Sequence, residues 1–241
     1  MKYPLDHPYS LATEEVVLQI QTDSIKGLTQ NEADKRSQTY GLNTFKAQKQ
    51  KSLWWIMLVQ FKSPIVYLLV FGAAVSLYFK DILETVAILV VIVINALIGF
   101  FMEMQARSSM NALKKMDVIL ANLIRNGKTR SLPSEQLVPG DLVPLEAGDI
   151  IPADGRLVAV NRLQCDESSL TGESLPSEKN MAILGADTVI GDQKNMVFKG
   201  TSVVNGNGKM VITGIAAQTQ LGTITSLVAS SADTITPLDK N

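Results

Sequence analysis

The chain has 241 residues, with 22 lysines and arginines against 23 aspartates and glutamates, so its formal net charge at pH 7 is −1. This balance argues against a nucleic-acid-binding protein, which needs a basic surface to neutralise phosphates, and no nucleic-acid partner is expected. The single cysteine excludes an internal disulfide framework and a CxxC metal site. Charged residues make up 19% of the chain, below the roughly 25% of a typical soluble domain, which predicts a local region without charge.

The first part of the chain, residues 1–50, is predicted to form a small helical unit. Thr29 and Glu32 have the spacing of a capping box, and Gly41 stands where the end of a helix favours a left-handed residue. An earlier short helix carries its apolar residues on one face: Val16, Val17 and Ile20. None of these patterns indicates chemistry, and the only histidine, His7, is expected to be a surface or packing residue.

The region without charge lies within residues 51–116, which contain two long apolar segments. Residues 53–79 carry one charge, Lys62, and residues 85–102 carry none. A helix needs about 20 apolar residues to cross the hydrocarbon core, so both segments qualify, the first with room for a kink at Pro64. The second lacks the polar face that a buried helix of a soluble protein usually keeps. We therefore predict a transmembrane hairpin, followed by a cytosolic helical stalk.

Basic residues set the predicted orientation of this hairpin. They flank its two outer ends, whereas the connecting loop at residues 80–84 has one lysine. The positive-inside rule then places the loop outside and both ends of the chain in the cytosol. The first ten residues also lack the apolar core of a signal peptide. The expected localisation is a multi-pass membrane protein, with the lipid bilayer as a partner.

From residue 117 the pattern becomes strand-like. Asn126-Gly127 is a hairpin signal. Short apolar runs then alternate with turn dipeptides. The glycine-containing segment at residues 205–208 is predicted to separate the last two apolar runs. We predict a compact β-rich domain over residues 117–225, of sandwich or jelly-roll type, followed by a polar linker at residues 226–241. The fold class is therefore an α+β membrane protein: a jelly-roll-like domain, a transmembrane hairpin and a small helical unit.

Chemistry is indicated by motifs in the β-rich part. No Walker loop, HExxH, GxSxG or kinase motif is present. A different set occurs: LVPGD at residues 137–141, GDIIPADG at 148–155, CDESSLTGES at 165–174 and FKGT at 198–201. In this order, after a membrane hairpin, these motifs make the chain resemble the N-terminal part of a P-type cation-transporting ATPase. The similarity extends from HPYSL to Thr236-Pro237-Leu238.

The resemblance implies an actuator domain interrupted by the first two membrane helices. Such pumps transfer the γ-phosphoryl group of ATP to an aspartate and then hydrolyse the aspartyl phosphate. By resemblance, Glu173 is the carboxylate that directs the attacking water, and Gly172 permits close approach to the phosphoryl group. Thr171 and Ser174 would hold the loop through their hydroxyls. The competing interpretation of these four residues alone is a polar turn.

Three further residues are candidates for supporting this loop. Asp166 and Glu167 either orient it or are solvated charges at a strand end. Lys199 either contacts a phosphoryl-bearing partner domain or is a surface lysine. Two other aspartates, Asp149 and Asp154, are expected to set turn geometry. Cys165, in a strand, is expected to be an inert packing residue.

The pattern of the family is incomplete here. The phosphorylated aspartate of its DKTGT motif is missing, because Asp239-Lys240 is followed only by Asn241. ATP and Mg²⁺ are expected for the complete pump and no cofactor for this chain, which alone should be inactive. The expected partners are the phosphorylation and nucleotide domains and later membrane helices.

The transported ion and its ligands are open. The apolar segments look closest to the calcium-pump-like branch, which favours Ca²⁺, with H⁺, Na⁺ or Mg²⁺ as alternatives. No metal ligand can be assigned; mid-membrane Asn95 is expected to be an interhelical hydrogen bonder. The alternative from another class is a non-enzymatic membrane adaptor that retains an actuator fold.

Overall fold

The computed structural model describes residues 1, 3–44, 52–116 and 119–232. The chain divides into two compact units, one made of residues 1–46 and 119–241 and the other of residues 47–118. The first unit is therefore discontinuous in sequence, and the second is inserted into it. The predicted basic residues at 46, 49 and 51 lie outside the described residues. Of the linker predicted at residues 226–241, residues 226–232 are instead helical, within Gln220–Ala232, and the remainder also lies outside the described residues.

Two helices begin the first unit, after a 3₁₀ turn at Pro8–Ser10. They are α1 (Thr13–Ile20) and α2 (Gln30–Tyr40). The predicted cap of α2 is confirmed, because the Glu32 amide donates to the Thr29 hydroxyl at 3.3 Å and Gly41 ends the helix with φ 78°. One face of α1 is buried as predicted, with Val16 and Ile20 inaccessible to solvent.

A seven-stranded antiparallel sheet forms the rest of this unit, and it confirms the β-rich prediction. Its strands are β1 (Leu120–Arg125), β2 (Lys128–Pro133), β3 (Leu142–Glu146), β4 (Asp154–Asp166), β5 (Ser177–Glu178), β6 (Met196–Val197) and β7 (Ser202–Gly214). Their order is β2-β1-β3-β7-β4-β5, with β6 also paired to β4. Short helices connect or follow them: 3₁₀ turns at Ser134–Gln136, Ile190–Asp192 and Ala216–Gln218, α6 (Ser168–Thr171) and α7 (Gln220–Ala232).

The main core lies on the long central strands β4 and β7. Apolar side chains from these strands and from β1 and β3 make one buried cluster, which includes Leu123, Leu145, Leu157, Met210 and Ile212. A second cluster joins α1 to the sheet, with Val16 and Ile20 packed together with Leu142 and Val211. The helix α1 therefore packs directly on strands that follow residue 119.

The Asn126-Gly127 hairpin is confirmed. These two residues connect β1 to β2, with Arg125 paired to Lys128, and their φ angles are 53° and 69°. Positive φ at both central positions is the type I′ geometry, whose twist matches that of the flanking strands.

The predicted division at residues 205–208 is wrong. These residues lie inside the continuous strand β7, which pairs with β4 through several register shifts. A Cβ atom on Gly206 would lie 2.1 Å from the backbone oxygen of Arg162, and one on Gly208 would lie 2.6 Å from that of Ala159. The two glycines therefore permit close approach of two strand backbones rather than a turn.

The second unit consists of three apolar helices: α3 (Leu53–Gln60), α4 (Pro64–Tyr78) and α5 (Ile82–Met116). The first predicted span, residues 53–79, is divided between α3 and α4. Pro64 occupies the first turn of α4, where its missing N–H costs no hydrogen bond, and three residues separate the two helices. By length and composition, one described helix could cross a membrane, the Ile82–Ser108 part of α5. The helix continues to Met116, where the stalk was predicted to end.

Candidate active-site loop

The TGES sequence begins at Thr171, the last residue of α6, which is a single helical turn after the end of β4. Asp166 starts this turn, because its carboxylate accepts a hydrogen bond from the Ser168 amide at 2.9 Å. Hydrogen bonds from the Ser168 hydroxyl and amide lower the pKa of the partly exposed Asp166 carboxyl. Asp166 therefore forms an Asx turn just before α6, which fixes how the chain leaves β4.

Thr171 connects the turn to the rest of the loop. Its amide and hydroxyl both donate to the backbone oxygen of Glu167, at 2.9 and 3.1 Å. The same hydroxyl accepts from the Glu173 amide at 3.3 Å. The Thr171 hydroxyl thus lies between the start of the loop and Glu173, as a loop-holding role requires.

Gly172 reverses the chain in the left-handed region, with φ 78° and ψ 0°. Its amide donates to the Ser168 oxygen at 2.9 Å, which closes the turn of α6. Nothing in the described residues lies within 4 Å of the position a Cβ would take. Glycine is favoured at this position because φ is positive. The open space beside its backbone would allow another group to approach.

Glu173 and Ser174 are exposed at the outermost part of this loop. The next residue, Leu175, is an apolar side chain with 81% of its surface exposed. The loop therefore presents a carboxylate and a hydroxyl to solvent beside an apolar side chain, an arrangement that suits contact with another part of a larger protein.

A buried ion pair lies below the loop. Glu167 Oε1 and Lys179 Nζ are 2.5 Å apart, and the two side chains are 3% and 0% exposed. Burial raises the pKa of Glu167 and lowers that of Lys179, and in each case the charge of the partner opposes the effect. The interpretation of Glu167 as a solvated strand-end charge is therefore wrong, because this carboxylate is inside the protein.

Lys199 binds the segment that follows α2. Its ammonium donates to the side-chain and backbone oxygens of Asn43, at 3.0 and 3.2 Å, and its amide donates to Asp154 at 2.8 Å. Burial lowers the pKa of Lys199, and the nearby Asp154 charge opposes this. The side chain is only partly exposed, so the simple surface-lysine interpretation does not describe it.

The remaining candidates set local geometry. Asp149 accepts from the Glu146 amide at 2.9 Å and closes a turn, and Asp154 caps α7 by accepting from the Gln220 amide at 2.7 Å. Cys165 is fully buried, and burial raises its thiol pKa to about 12. His7 is exposed, with its Nδ1 at 2.7 Å from the Tyr9 hydroxyl.

Within the part of the chain that the structure describes, no three His, Cys, Asp or Glu side chains are grouped so that they could hold a metal ion. Asn95 is exposed on α5. We therefore assign no metal ligand among these residues.

Comparisons with known proteins identify the family. The family described as the P-type ATPase actuator domain matches residues 115–229, and the cation transporter/ATPase N-terminus matches residues 8–76. The first match contains the whole sheet and the TGES loop, and the second contains α1, α2 and most of the apolar segment up to Tyr78. The chain belongs to the P-type cation-transporting ATPases.

The curated relatives agree with this assignment. A calcium-transporting ATPase of Listeria monocytogenes is 39% identical over 96% of the chain, and one of Lactococcus lactis is 37% identical over 97%. A cation-transporting ATPase of Synechocystis is 34% identical over 94%. The matched region is 26%, 26% and 25% of these proteins, so the chain spans about a quarter of their length.

Two residues that organise this unit were not singled out from the sequence. Lys179 is one of 22 basic residues, and the two-residue strand β5 is too short to reveal that its neighbour is buried. Asn43 lies in an irregular segment after α2, where asparagine usually indicates a turn. In both cases the contacts are long-range, and no local pattern in the sequence predicts them.

Proposed function

We propose that this chain supplies the actuator domain and the first membrane hairpin of an ATP-driven cation pump. In this proposal, Glu173 aligns the water that hydrolyses the aspartyl phosphate. The observation that carries it is the loop geometry: an exposed carboxylate on a left-handed glycine turn, with its amide bonded to the Thr171 hydroxyl.

The chemistry requires a proton acceptor near the attacking water. A carboxylate can orient the water and accept its proton as the bond to phosphorus forms, while the aspartyl oxygen leaves. Gly172 leaves open space above its backbone for the phosphoryl group. The phosphorylated aspartate, ATP and its Mg²⁺ would belong to the phosphorylation and nucleotide domains of the complete pump.

In the same proposal, α3 and α4 form the first membrane segment and α5 forms the second. α4 alone has 15 residues, fewer than the roughly 20 that cross the hydrocarbon core, so α3 would complete the first crossing. The basic residues outside the two apolar segments favour cytosolic N- and C-terminal parts. The pump would be a multi-pass membrane protein with further helices.

Ca²⁺ is the ion we propose. The support is the name of two relatives at 39% and 37% identity, both calcium-transporting ATPases. Uptake of radioactive Ca²⁺ into vesicles that contain the pump tests this choice. Transport of H⁺, Na⁺ or Mg²⁺ without Ca²⁺ would contradict it.

The mechanism is tested in a complete pump, made by replacing the corresponding N-terminal quarter of the Listeria ATPase with residues 1–241. Glu173→Gln keeps the shape of the side chain and removes its charge. A positioned general base contributes about 10²–10⁴-fold, so the phosphoenzyme should form normally from ATP and decay more slowly by this factor. Glu178→Gln, an exposed carboxylate in the neighbouring strand, is the matched control and should decay normally.

Two results would contradict the proposal. Normal phosphoenzyme decay in the Glu173→Gln pump would favour the polar-turn interpretation. Failure of the chimera to form a phosphoenzyme, although it is folded and inserted, would favour the non-enzymatic adaptor. The second result concerns the whole chain and the first concerns Glu173, so the two are distinguishable.

A further inference from the structure

We propose that the buried Glu167–Lys179 ion pair is a positioning device that holds the TGES loop in its hydrolytic geometry. The inference rests on the proposed function of Glu173. It assigns Lys179, which no motif of the sequence indicates, to the same reaction as a positioning residue rather than a catalytic one.

The first observation is where the pair lies along the chain. Glu167 precedes Glu173 by six residues, and Lys179 follows it by six. Their side chains meet with Oε1 and Nζ 2.5 Å apart, so the pair closes the base of the loop and Glu173 stands at its middle. The Lys179 amide also donates to the Leu163 oxygen at 2.9 Å, which fixes the returning chain to β4.

The second observation is a continuous path of contacts from the pair to Glu173. The backbone oxygen of Glu167 accepts from the amide and hydroxyl of Thr171, and the Thr171 hydroxyl accepts from the Glu173 amide. A rotation of the Glu167 backbone would therefore move the acceptor of the Thr171 hydroxyl. That movement would be passed to the backbone of Glu173.

The third observation is burial. The two charged side chains are 3% and 0% exposed, and the Lys179 ammonium lies 5.7 Å from the centre of the Phe198 ring, which begins the FKGT sequence. Neutral apolar residues could fill the same space, but an ion pair has one favoured geometry and fixes one arrangement of its backbones. Removal of one partner leaves an uncompensated buried charge, so the remaining side chain would seek another position.

A purely structural role makes a different prediction, and the chain offers a matched control for it. Arg125 and Asp141 form a second buried ion pair in the same unit, with exposures of 4% and 0%. None of its hydrogen bonds reaches the TGES loop: the partners are the Val138 amide and the Gln136 oxygen. A variant of this pair loses stability without disturbing the loop.

The first test measures phosphoenzyme decay in the chimeric pump described above. Lys179→Met and Glu167→Gln should each slow decay about 10-fold or more while phosphoenzyme formation stays unchanged. Exchange of the charges, in Glu167→Lys with Lys179→Glu, should restore at least part of the rate. Asp141→Asn should lower the melting temperature and leave the decay rate of the folded pump unchanged.

The second test uses the 241-residue chain itself in detergent and measures amide hydrogen exchange. In Lys179→Met, the amides of residues 170–173 should exchange at least ten times faster, while those of Val211 and Ile212 in β7 keep their protection. Asp141→Asn should not show this selective effect.

The outcomes separate the two proposals. If Glu173→Gln slows decay but Lys179→Met does not, the positioning role is overturned and the function of Glu173 stands. If neither variant slows decay, the proposed function fails. Unchanged exchange at residues 170–173 in Lys179→Met also overturns the positioning role, whether or not the chimera is active.

Discussion

Lys199 and Asn43 lie 156 residues apart in the sequence, yet the Lys199 ammonium donates to both the side-chain and the backbone oxygen of Asn43. The Asn43 side chain also accepts from the Ala216 amide at 2.9 Å and donates to the oxygens of Ser134 and Pro152 at 3.0 and 2.9 Å. This one buried amide therefore joins the segment after α2 to two connections of the sheet and to the 3₁₀ turn that precedes α7.

Replacement of Asn43 should be costly for this reason. Asn43→Ala leaves several buried donors and acceptors without partners, each of which costs about 1–3 kcal/mol. We expect a loss of about 2–4 kcal/mol in the free energy of unfolding, measured by denaturant titration. Asn161→Ala, an exposed asparagine in β4, is the control and should change it by less than about 0.5 kcal/mol. Equal effects of the two substitutions would contradict the role of Asn43.

Disruption of the Arg125–Asp141 ion pair should also cause a large loss of stability. Arg125 donates twice to the carboxylate, at 2.8 and 2.7 Å, and the Val138 amide donates to it at 2.9 Å. Asp141→Ala leaves a buried guanidinium unpaired, which costs about 3–5 kcal/mol. The melting temperature should fall accordingly. Glu15→Gln, on the exposed face of α1, should leave it nearly unchanged; similar losses from both would refute the prediction.

Asp154 predicts a dependence of stability on pH. Burial raises its pKa to about 6, although the amides of Lys199 and Gln220 oppose the shift. The folded state then binds a proton more readily than the unfolded state between about pH 4 and 6, so this group's contribution to stability falls as the pH rises through that window. The difference between this pKa and that of an ordinary aspartate corresponds to roughly 3 kcal/mol.

The measurement compares the wild-type chain with Asp154→Asn, which cannot titrate. The difference in unfolding free energy, wild type minus variant, should become less favourable by up to about 3 kcal/mol between pH 4 and pH 7. Asn161→Ala, which changes no titratable group, should show no such trend. A difference that is independent of pH would mean that Asp154 keeps an ordinary pKa in the folded chain.

The proposed topology is tested by cysteine labelling. The native Cys165 is buried and the pKa of its thiol is raised to about 12, so it should not react with a maleimide while the chain is folded. Leu83→Cys places a thiol at a position that is 84% exposed in the predicted outer loop. It should be labelled by a membrane-impermeant maleimide in intact cells.

The same experiment has an internal control. A cysteine in place of exposed Ser174 should be labelled only after permeabilisation. Labelling of Leu83→Cys only after permeabilisation would overturn the proposed orientation, and labelling of Cys165 in the folded chain would contradict its burial.

Structural features that depend on residues close together in the sequence could be predicted from it. The cap of α2 needs two residues three apart, and the type I′ turn needs Asn126 and Gly127 side by side. The TGES loop could be located because it lies among other motifs. The uncharged apolar run at residues 85–102 also predicted the long helix α5, since that pattern depends only on local order.

Features that depend on distant partners were not predictable. Gly206 and Gly208 look like a turn, because glycine has the same local signal in a turn and in a strand that approaches another backbone closely. The side chain of Lys179 is buried only because β5 returns against β4 below the loop. In each case the sequence gives only the residue type, whereas the structural role of the residue depends on a tertiary contact.

The discontinuity of the first unit has a consequence for the order of events during synthesis. Leu5, Val16 and Ile20 leave the ribosome well before Leu142 and Val211, with which they share a buried cluster. The apolar helices α3, α4 and α5 are synthesised after Ile20 and before Leu142. The N-terminal segment must therefore wait, with its apolar face uncovered, until β3 and β7 have been synthesised. This interval is where a chaperone would be needed, and where a stalled chain would be exposed to proteolysis.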